Sequence, residues 1–216
     1  MKTFKLTLLI LVLFQSTYSQ NDSTRVRQRV DRYEDYFKSV SVDFGAGVFL
    51  PQGNLKDYFG IAPMFELKVN FPIDETKAID GVFQFIVPNQ QDDFVFLRTI
   101  DTVQAKSTFM FNALARFKKR VHYTEKSQVN IGLGIGVSTV LTNARNPFYS
   151  GREDENKYEY ISALLLMPGI EWEHEFSGNS LFTFGFDVQY SPYKIEGALR
   201  EDIGTFALIP KVSYRF

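Results

Sequence analysis

The chain alternates between apolar and polar positions, with a period of two, from Val40 almost to its end. In the segment VSVDFGAGVFL, apolar residues occupy one face from Val40 to Leu50, and Ser, Asp and Gly occupy the other. The segment VNIGLGIGVST repeats this pattern, with Val, Ile and Leu opposed to Asn, Gly and Ser. Successive side chains of a β-strand point to opposite faces of a sheet, so this period predicts strands.

About eight segments show the pattern, and no helical pattern interrupts them. They begin at Val40, Ile61, Gly81, Ser107, Val129, Tyr158, Leu181 and Thr205. Connections after the odd-numbered segments are mostly long and polar, as in TNARNPFYSGREDENK, and those after the even-numbered segments are somewhat shorter. Long loops at one rim and shorter turns at the other are typical of outer-membrane barrels. The predicted fold class is all-β: an antiparallel up-and-down transmembrane β-barrel over residues 40–216.

The composition of the two faces decides between a soluble barrel and a membrane barrel. Each strand has an apolar face and a less apolar one, called here the weaker face. A soluble barrel shows charged residues and Thr to water on its weaker face. Here the weaker face is largely Gly, Ser, Asn and Gln, which suit a narrow lumen filled by side chains. Tyr160, Trp172 and Tyr190 lie on the apolar face and are predicted to sit at the membrane–water interfaces, where such rings are favoured. We therefore expect contact with outer-membrane lipid and lipopolysaccharide.

The N-terminal residues predict export. Lys2 and Lys5 precede a short apolar run, and small residues follow it, which is typical of a signal peptide over residues 1–19. Residues 20–39 are charged, with apolar residues at helical spacing. We interpret them as a short periplasmic leader, either an amphipathic helix or a disordered arm.

The chain ends in KVSYRF, inside a run that still alternates. This ending resembles the C-terminal assembly signal of bacterial outer-membrane proteins, carried here by Val212, Tyr214 and Phe216. The resemblance implies that the barrel-assembly machinery is a partner. The segments FLPQGNLKDYFGIAP and YSQN are also similar to small barrel-domain proteins of Bacteroidetes-type bacteria, which are OmpA-like, porin-family barrels. That resemblance implies the outer membrane of a Gram-negative cell.

Composition excludes several kinds of chemistry. The net charge is -1 without a basic excess, which argues against a nucleic-acid partner. The chain has no cysteine, which removes disulfides, thiol catalysis and Cys-ligated zinc. His122 and His174 lie near Ser and acidic residues, but in segments predicted at the periplasmic rim, and the motifs of lipid A enzymes are not reproduced. We expect no catalytic site, no metal site and no cofactor.

Charged residues also occur on the lumen face. Since buried charges must pair or hydrogen-bond, we predict an internal ion-pair network that plugs the lumen. Its members are Asp43, Glu66, Lys68, Arg116, Glu171, Asp187, Lys211 and Arg215, and Glu173 is expected to lie in the lumen with them.

These observations predict a structural or binding role through extracellular loops. Two alternatives stay open at this stage. The first is an accessory subunit of an outer-membrane export or uptake assembly, with the leader as the contact to a protein partner that the sequence does not identify. The second is a barrel enzyme that modifies lipid A.

Overall fold

The computed structural model describes residues 40–97, 102–146, 149–152, 157–176, 180–195, 199 and 201–215. The predicted signal peptide, the predicted leader and Phe216 lie outside these residues. Among the described residues, no helix is long and apolar enough to cross a membrane.

Ten strands and one short helix make up the regular structure of this part of the chain. In chain order they are β1 (Ser41–Gln52), α1 (Leu55–Tyr58), β2 (Ala62–Pro72), β3 (Lys77–Ile86), β4 (Phe94–Leu97), β5 (Thr102–Ala105), β6 (Ser107–Tyr123), β7 (Ser127–Arg145), β8 (Tyr158–Glu175), β9 (Leu181–Lys194) and β10 (Asp202–Arg215).

Eight of the strands form a closed barrel in the order β1-β10-β9-β8-β7-β6-β3-β2. Each neighbouring pair is antiparallel, and β1 closes the barrel on β10 through pairs such as Ala46↔Val212. The predicted fold class and strand number are confirmed. The hairpin β4–β5 was not predicted; it pairs from Phe94↔Ala105 to Leu97↔Thr102 as a separate two-stranded sheet.

The barrel has two different rims. The turn rim carries the short connections 73–76, 124–126 and 176–180, and the loop rim carries the longer connections 53–61, 87–106, 146–157 and 195–201. The connections after the second and fourth barrel strands are tighter than expected, because β3 begins at Lys77 and β6 continues to Tyr123. A register shift between Arg120 and His122 breaks the period of two near the end of β6, which explains why the sequence pattern lost this part of the strand.

The outer face of the barrel is apolar. On β7, the side chains of Ile131, Leu133, Ile135 and Val137 point outward and are between 47% and 58% exposed. Their neighbours in sequence are the inward-facing Gly132, Gly134, Gly136 and Ser138, so the predicted assignment of faces holds along this strand. The same exposed apolar positions recur around the barrel, for example at Phe65, Phe83, Phe117, Leu164, Phe186 and Val212.

Candidate functional site: the filled lumen

The half of the lumen nearer the turn rim is charged. The eight residues predicted for the lumen network all lie there; seven are buried and Arg215 is half-buried. They reach this place from β1, β2, β6, β8, β9 and β10, because each occupies an inward position of its strand.

Glu171 on β8 lies at the centre of these charges. Its carboxylate oxygens are 2.9 Å from Arg116 Nη1 and 3.3 Å from Lys68 Nζ. Lys211 Nζ follows at 3.4 Å. A buried carboxylate with several cationic neighbours is stable in its charged form, because these contacts replace the water that burial removed.

Lys211 connects strands on both sides of it. Its Nζ atom lies 2.7 Å from Glu66 and 2.9 Å from Asp187. Arg116 donates a second hydrogen bond to Asp187, at 2.6 Å. Lys211 and Arg116 therefore share Asp187 as well as Glu171.

Asp43 on β1 extends the network to the barrel closure. It lies 3.1 Å from Lys68 on β2 and accepts hydrogen bonds of 2.5 and 3.0 Å from Arg215 on β10. Both partners are cross-strand neighbours of Asp43, so this part of the network spans the first and last barrel strands.

Three further charged residues belong to the site: Glu173 was expected in the lumen, whereas Lys118 and Asp80 were not. Lys118 Nζ lies 2.9 Å from Glu173 and 3.7 Å from Asp80. Asp80 and Lys118 each lie one residue beyond the strand segments recognised in the sequence, so the longer strands of the structure bring them in. Glu173 shares the lumen face of Glu171 two positions away, as the alternation predicted.

Inward glycines make room for the long cationic side chains. Gly47 on β1 is paired with Lys211, and a Cβ atom at Gly47 would lie 2.9 Å from the Lys211 Cβ. Gly132 on β7 is paired with Lys118, and a Cβ atom added there would lie 3.0 Å from the Cδ of Arg116, two positions along β6. The glycines on the weaker face thus let cations cross a strand to reach carboxylates on the next one.

A layer of amides and hydroxyls lies above the charges. Asn112 Nδ2 donates to Gln84 Oε1 at 2.9 Å and to Gln189 Oε1 at 3.0 Å. Ser138 and Tyr193 hydrogen-bond to each other in the same layer. Gln84 also donates to Glu66 at 2.8 Å, which ties this layer to the ion pairs below it.

The upper interior, nearer the loop rim, is apolar. This differs from the expected plug of polar and charged residues alone. Leu165 and Met167 interrupt the alternation of β8 in the sequence because they face this apolar interior. The residues that fill it include Phe49, Met64, Ile86, Met110, Val140, Ile161, Leu165, Met167 and Ile209.

Connections of the loop rim form a cap over this apolar interior. The ring of Phe94 contacts Tyr58 and Phe59, with centroid distances of 5.4 and 5.9 Å. Backbone hydrogen bonds join the first two loops, from Gly60 N to Asn89 O at 2.6 Å and from Gln91 N to Tyr58 O at 2.8 Å. We call residues 53–61 and 87–105, as far as they are described, the loop cap.

The two histidines lie at the turn rim. His122 is exposed, and the Nδ1 of His174 lies 2.7 Å from Ser127 Oγ. The His174 ring stacks on Trp172, and no carboxylate among the described residues hydrogen-bonds to it. An activated serine needs a base that a third group orients, and this pair lacks one in the described part of the chain. Likewise, no described group of three or more His, Asp or Glu side chains could hold a metal ion.

The aromatic residues predicted for the interfaces all face outward. Tyr160 lies near the loop-rim end of β8 and Trp172 near its turn-rim end. Trp172 stacks on Phe184, and Tyr190 contacts Phe206.

The predicted assembly signal is described in part. Val212 is exposed on the outer face, and Tyr214 donates a hydrogen bond to Ser180 Oγ at 2.9 Å. Phe216 lies outside the described residues.

Comparison with known proteins supports the fold. No protein-family model matches the chain, and no curated protein matches it. The chain is similar to the crystal structure of Neisserial surface protein A, with a TM-score of 0.56 and 8% identity over 82% of this chain and 95% of that chain. Two further structures match 82% of this chain and 97% of their own chains. One is Ail of Yersinia pestis in complex with the heparin analogue sucrose octasulfate, at 15% identity and a TM-score of 0.45. The other is the N-terminal β-barrel domain of Pseudomonas aeruginosa OprF, at 10% identity and a TM-score of 0.42. At these identities the likeness concerns the fold, and only the first structure has a TM-score high enough to support it.

The protein has the fold of an eight-stranded outer-membrane β-barrel. Its closed sheet satisfies the backbone without water, and its exposed apolar outer face is suited to hydrocarbon. Barrels of this kind have short periplasmic turns and longer extracellular loops, so we expect the turn rim, which also carries Val40 and Arg215, to face the periplasm. The narrower resemblance to Bacteroidetes-type proteins stays a prediction.

Proposed function

We propose that this protein is a non-conducting outer-membrane barrel that acts as a binding platform through its loop cap. The observation that carries the proposal is the loop cap itself, in which separate connections hydrogen-bond to each other over buried aromatic rings. Loops held in this way present a defined surface before a partner arrives, which lowers the entropy cost of binding.

The lumen contents support the non-conducting part of the proposal. Ion pairs, an amide layer and apolar side chains succeed one another from the turn rim to the loop rim. An eight-stranded barrel is just wide enough for side chains to fill it. The lumen residues therefore make the barrel rigid and block passage through it. Binding is then assigned to the loop cap.

Planar-bilayer recording tests the filled lumen. The purified full-length protein is expected to give no stable open conductance, because charges and apolar layers occupy the interior. Stable nanosiemens-scale conductance would contradict the proposal and favour diffusion of small solutes. A wide outer-membrane pore recorded in the same membrane serves as the positive control.

Site-specific photo-crosslinking in living cells tests the binding surface. A photoreactive amino acid at Lys56, exposed on the loop cap, is expected to yield defined adducts. Replacing residues 88–106 by a short turn that joins β3 to β6 should abolish these adducts while leaving the barrel pairs Ile86↔Met110 to Lys77↔Lys119 intact. The matched position is Glu125, exposed on the opposite rim. Adducts at Glu125 alone would favour the accessory-subunit alternative.

A further inference from the structure

The turn rim contains a polar pocket that the proposed function does not use. It has a volume of about 300 Å³ and opens at the turn-rim end of the lumen. Its walls come from β2, β3 and the turn between them, and from β6, β7, β8 and β10. We call it the turn-rim pocket.

Two directly opposed residues that line this pocket carry buried hydrogen-bond donors without an acceptor among the described residues. Arg120 on β6 is the cross-strand partner of Asn130 on β7. The Nε atom of Arg120 and the Nδ2 atom of Asn130 are both buried, and neither has a hydrogen-bond partner among the described residues. Asn130 as a whole is 3% exposed. Leaving buried donors unpaired is costly, so two of them on paired residues of one pocket point to an acceptor that binds there.

The charges around the pocket leave Arg120 as its surplus cation. The other cations that line it have carboxylate partners: Lys118 pairs with Glu173, Lys77 with Asp74 and Arg215 with Asp43. Arg120 has no ion pair among the described residues; its guanidinium lies 5.0 Å from the centre of the Tyr123 ring. The remaining carboxylate in the lining, Glu75, is on the exposed turn.

The backbone around Arg120 is irregular where the pocket forms. The pairing of β6 with β7 shifts register between Arg120 and His122, and the Arg120 N–H donates to Thr76 O at 2.7 Å in the β2–β3 turn. A bulge re-aims the side chains next to it and often lies beside a functional site. Here it fixes Arg120 between the turn and the lumen.

We propose that the turn-rim pocket binds the oxyanion group of a small periplasmic solute, with Arg120 Nε–H and Asn130 Nδ2–H as its donors. An oxyanion, whether a carboxylate or a phosphate, supplies several acceptor oxygens and a charge that balances Arg120. The site is independent of the loop cap because it lies at the opposite rim.

Nuclear magnetic resonance of the full-length protein in lipid nanodiscs tests this proposal directly. The signals of Arg120 Nε–H and Asn130 Nδ2–H₂ are followed during titration with sodium acetate and with sodium phosphate, at constant ionic strength set by sodium chloride. We expect both signals to shift in a saturable manner with at least one oxyanion. Saturation with acetate alone identifies a carboxylate ligand, and saturation with phosphate alone identifies a phosphate ligand.

Variants separate specific binding from general charge effects. Arg120→Gln and Asn130→Asp should each raise the apparent dissociation constant of the saturable shift by tenfold or more, followed on the signal of the donor that remains. Asn130→Asp does so because it replaces a donor by a negative charge, which repels the oxyanion. Lys119→Gln is the matched control, since it removes a neighbouring cation from the exposed outward position and should leave the response unchanged. Shifts that do not saturate, or that chloride reproduces, would overturn the proposal and assign the two donors to water. The dispersed backbone spectrum of each variant verifies that the barrel has folded.

Discussion

At the scale of single residues, Lys211 shows how charges are kept inside the barrel. Its ammonium group contacts Glu66, Asp187 and Glu171 within 3.4 Å. A pair of this kind adds little net stability, because burying both ions costs about as much as their attraction returns. Removing one partner is different, since it leaves the opposite charge buried without compensation.

The variant Lys211→Met should therefore destabilise the barrel. We expect a loss of about 3 kcal/mol in the free energy of unfolding, because carboxylates that shared the ammonium group stay buried. Urea unfolding of the protein in lipid vesicles measures it. The control is Lys119→Met, which removes a lysine from the exposed outer side of β6 and should be nearly neutral. Equal effects of the two substitutions would show that the contacts of Lys211 are not important for stability.

Asp74 lies in the β2–β3 turn, outside the membrane-spanning strands, and its contacts determine the protonation state of its carboxyl group. Its carboxylate accepts hydrogen bonds of 2.8 Å from both the backbone N–H and the hydroxyl group of Thr76. These bonds stabilise the charged form, and the pKa of Asp74 is therefore lower than usual. A carboxyl group with a lowered pKa stabilises the folded turn above its unfolded-state pKa, and this contribution is lost as the pH falls through the folded-state pKa.

Replacing Thr76 by Ala should raise the pKa of Asp74 part of the way to its usual value. The substitution removes the hydroxyl donor and keeps the backbone donor, so the shift should be partial. A pH titration of the Asp74 carboxyl carbon by nuclear magnetic resonance measures it in both proteins. An identical titration curve for the variant would mean that the hydroxyl group makes no difference to the carboxylate.

At the scale of elements, β7 carries the interior glycines that the packing of its neighbours requires. A Cβ atom at Gly136 would collide with the carbonyl oxygen and backbone of the β6 strand at Ala113 and Leu114. Backbone cannot move aside without breaking the ladder between β6 and β7. At Gly132 an added Cβ would instead meet the flexible stem of Arg116, at 3.0 Å.

Gly136→Ala should destabilise the barrel more than Gly132→Ala. We expect about 2 kcal/mol for Gly136→Ala, which is typical of an overpacked interior, and a smaller loss for Gly132→Ala. Both variants add one methyl group to the same strand, so strand propensity cancels in the comparison. Unfolding in vesicles provides the two values, and a larger loss for Gly132→Ala would contradict the backbone contact at Gly136.

The sequence was informative about elements wherever alternation was long and regular. All the barrel strands were predicted, and the outward faces that the alternation assigned are correct, because lipid outside and side chains inside impose a period of two. The hairpin of β4 and β5 was missed, since four residues per strand are too few for alternation to be recognised. The turn-rim ends of β3 and β6 were missed as well. Both faces carry charges there, as at Lys77 and Asp80 of β3, and β6 also shifts register beyond Arg120.

At the scale of the whole molecule, the interior changes in character from one rim to the other. Charges fill the turn-rim end, and apolar side chains beneath the loop cap fill the other end. The sequence indicated which residues face the lumen, because that depends on the period alone. It also led us to expect Glu66, Asp43 or Glu171 near Lys68, Arg116 or Lys211. Which of these touch, such as Lys211 of β10 with Glu66 of β2, depends on the register of several strands around the closed barrel, and alternation does not specify that register.

The direction of this gradient across the membrane gives the last prediction. Because the chain contains no cysteine, a single substitution introduces the only thiol. Lys56→Cys on the loop cap and Glu125→Cys on the turn rim are both at exposed positions. With the loop rim outside, a membrane-impermeant maleimide added to intact cells should label Lys56→Cys, and it should label Glu125→Cys only after the outer membrane is permeabilised. The unsubstituted protein is the control for background labelling. Labelling of Glu125→Cys on intact cells would reverse the orientation, and with it the assignment of the loop cap to the exterior and of the turn-rim pocket to the periplasm.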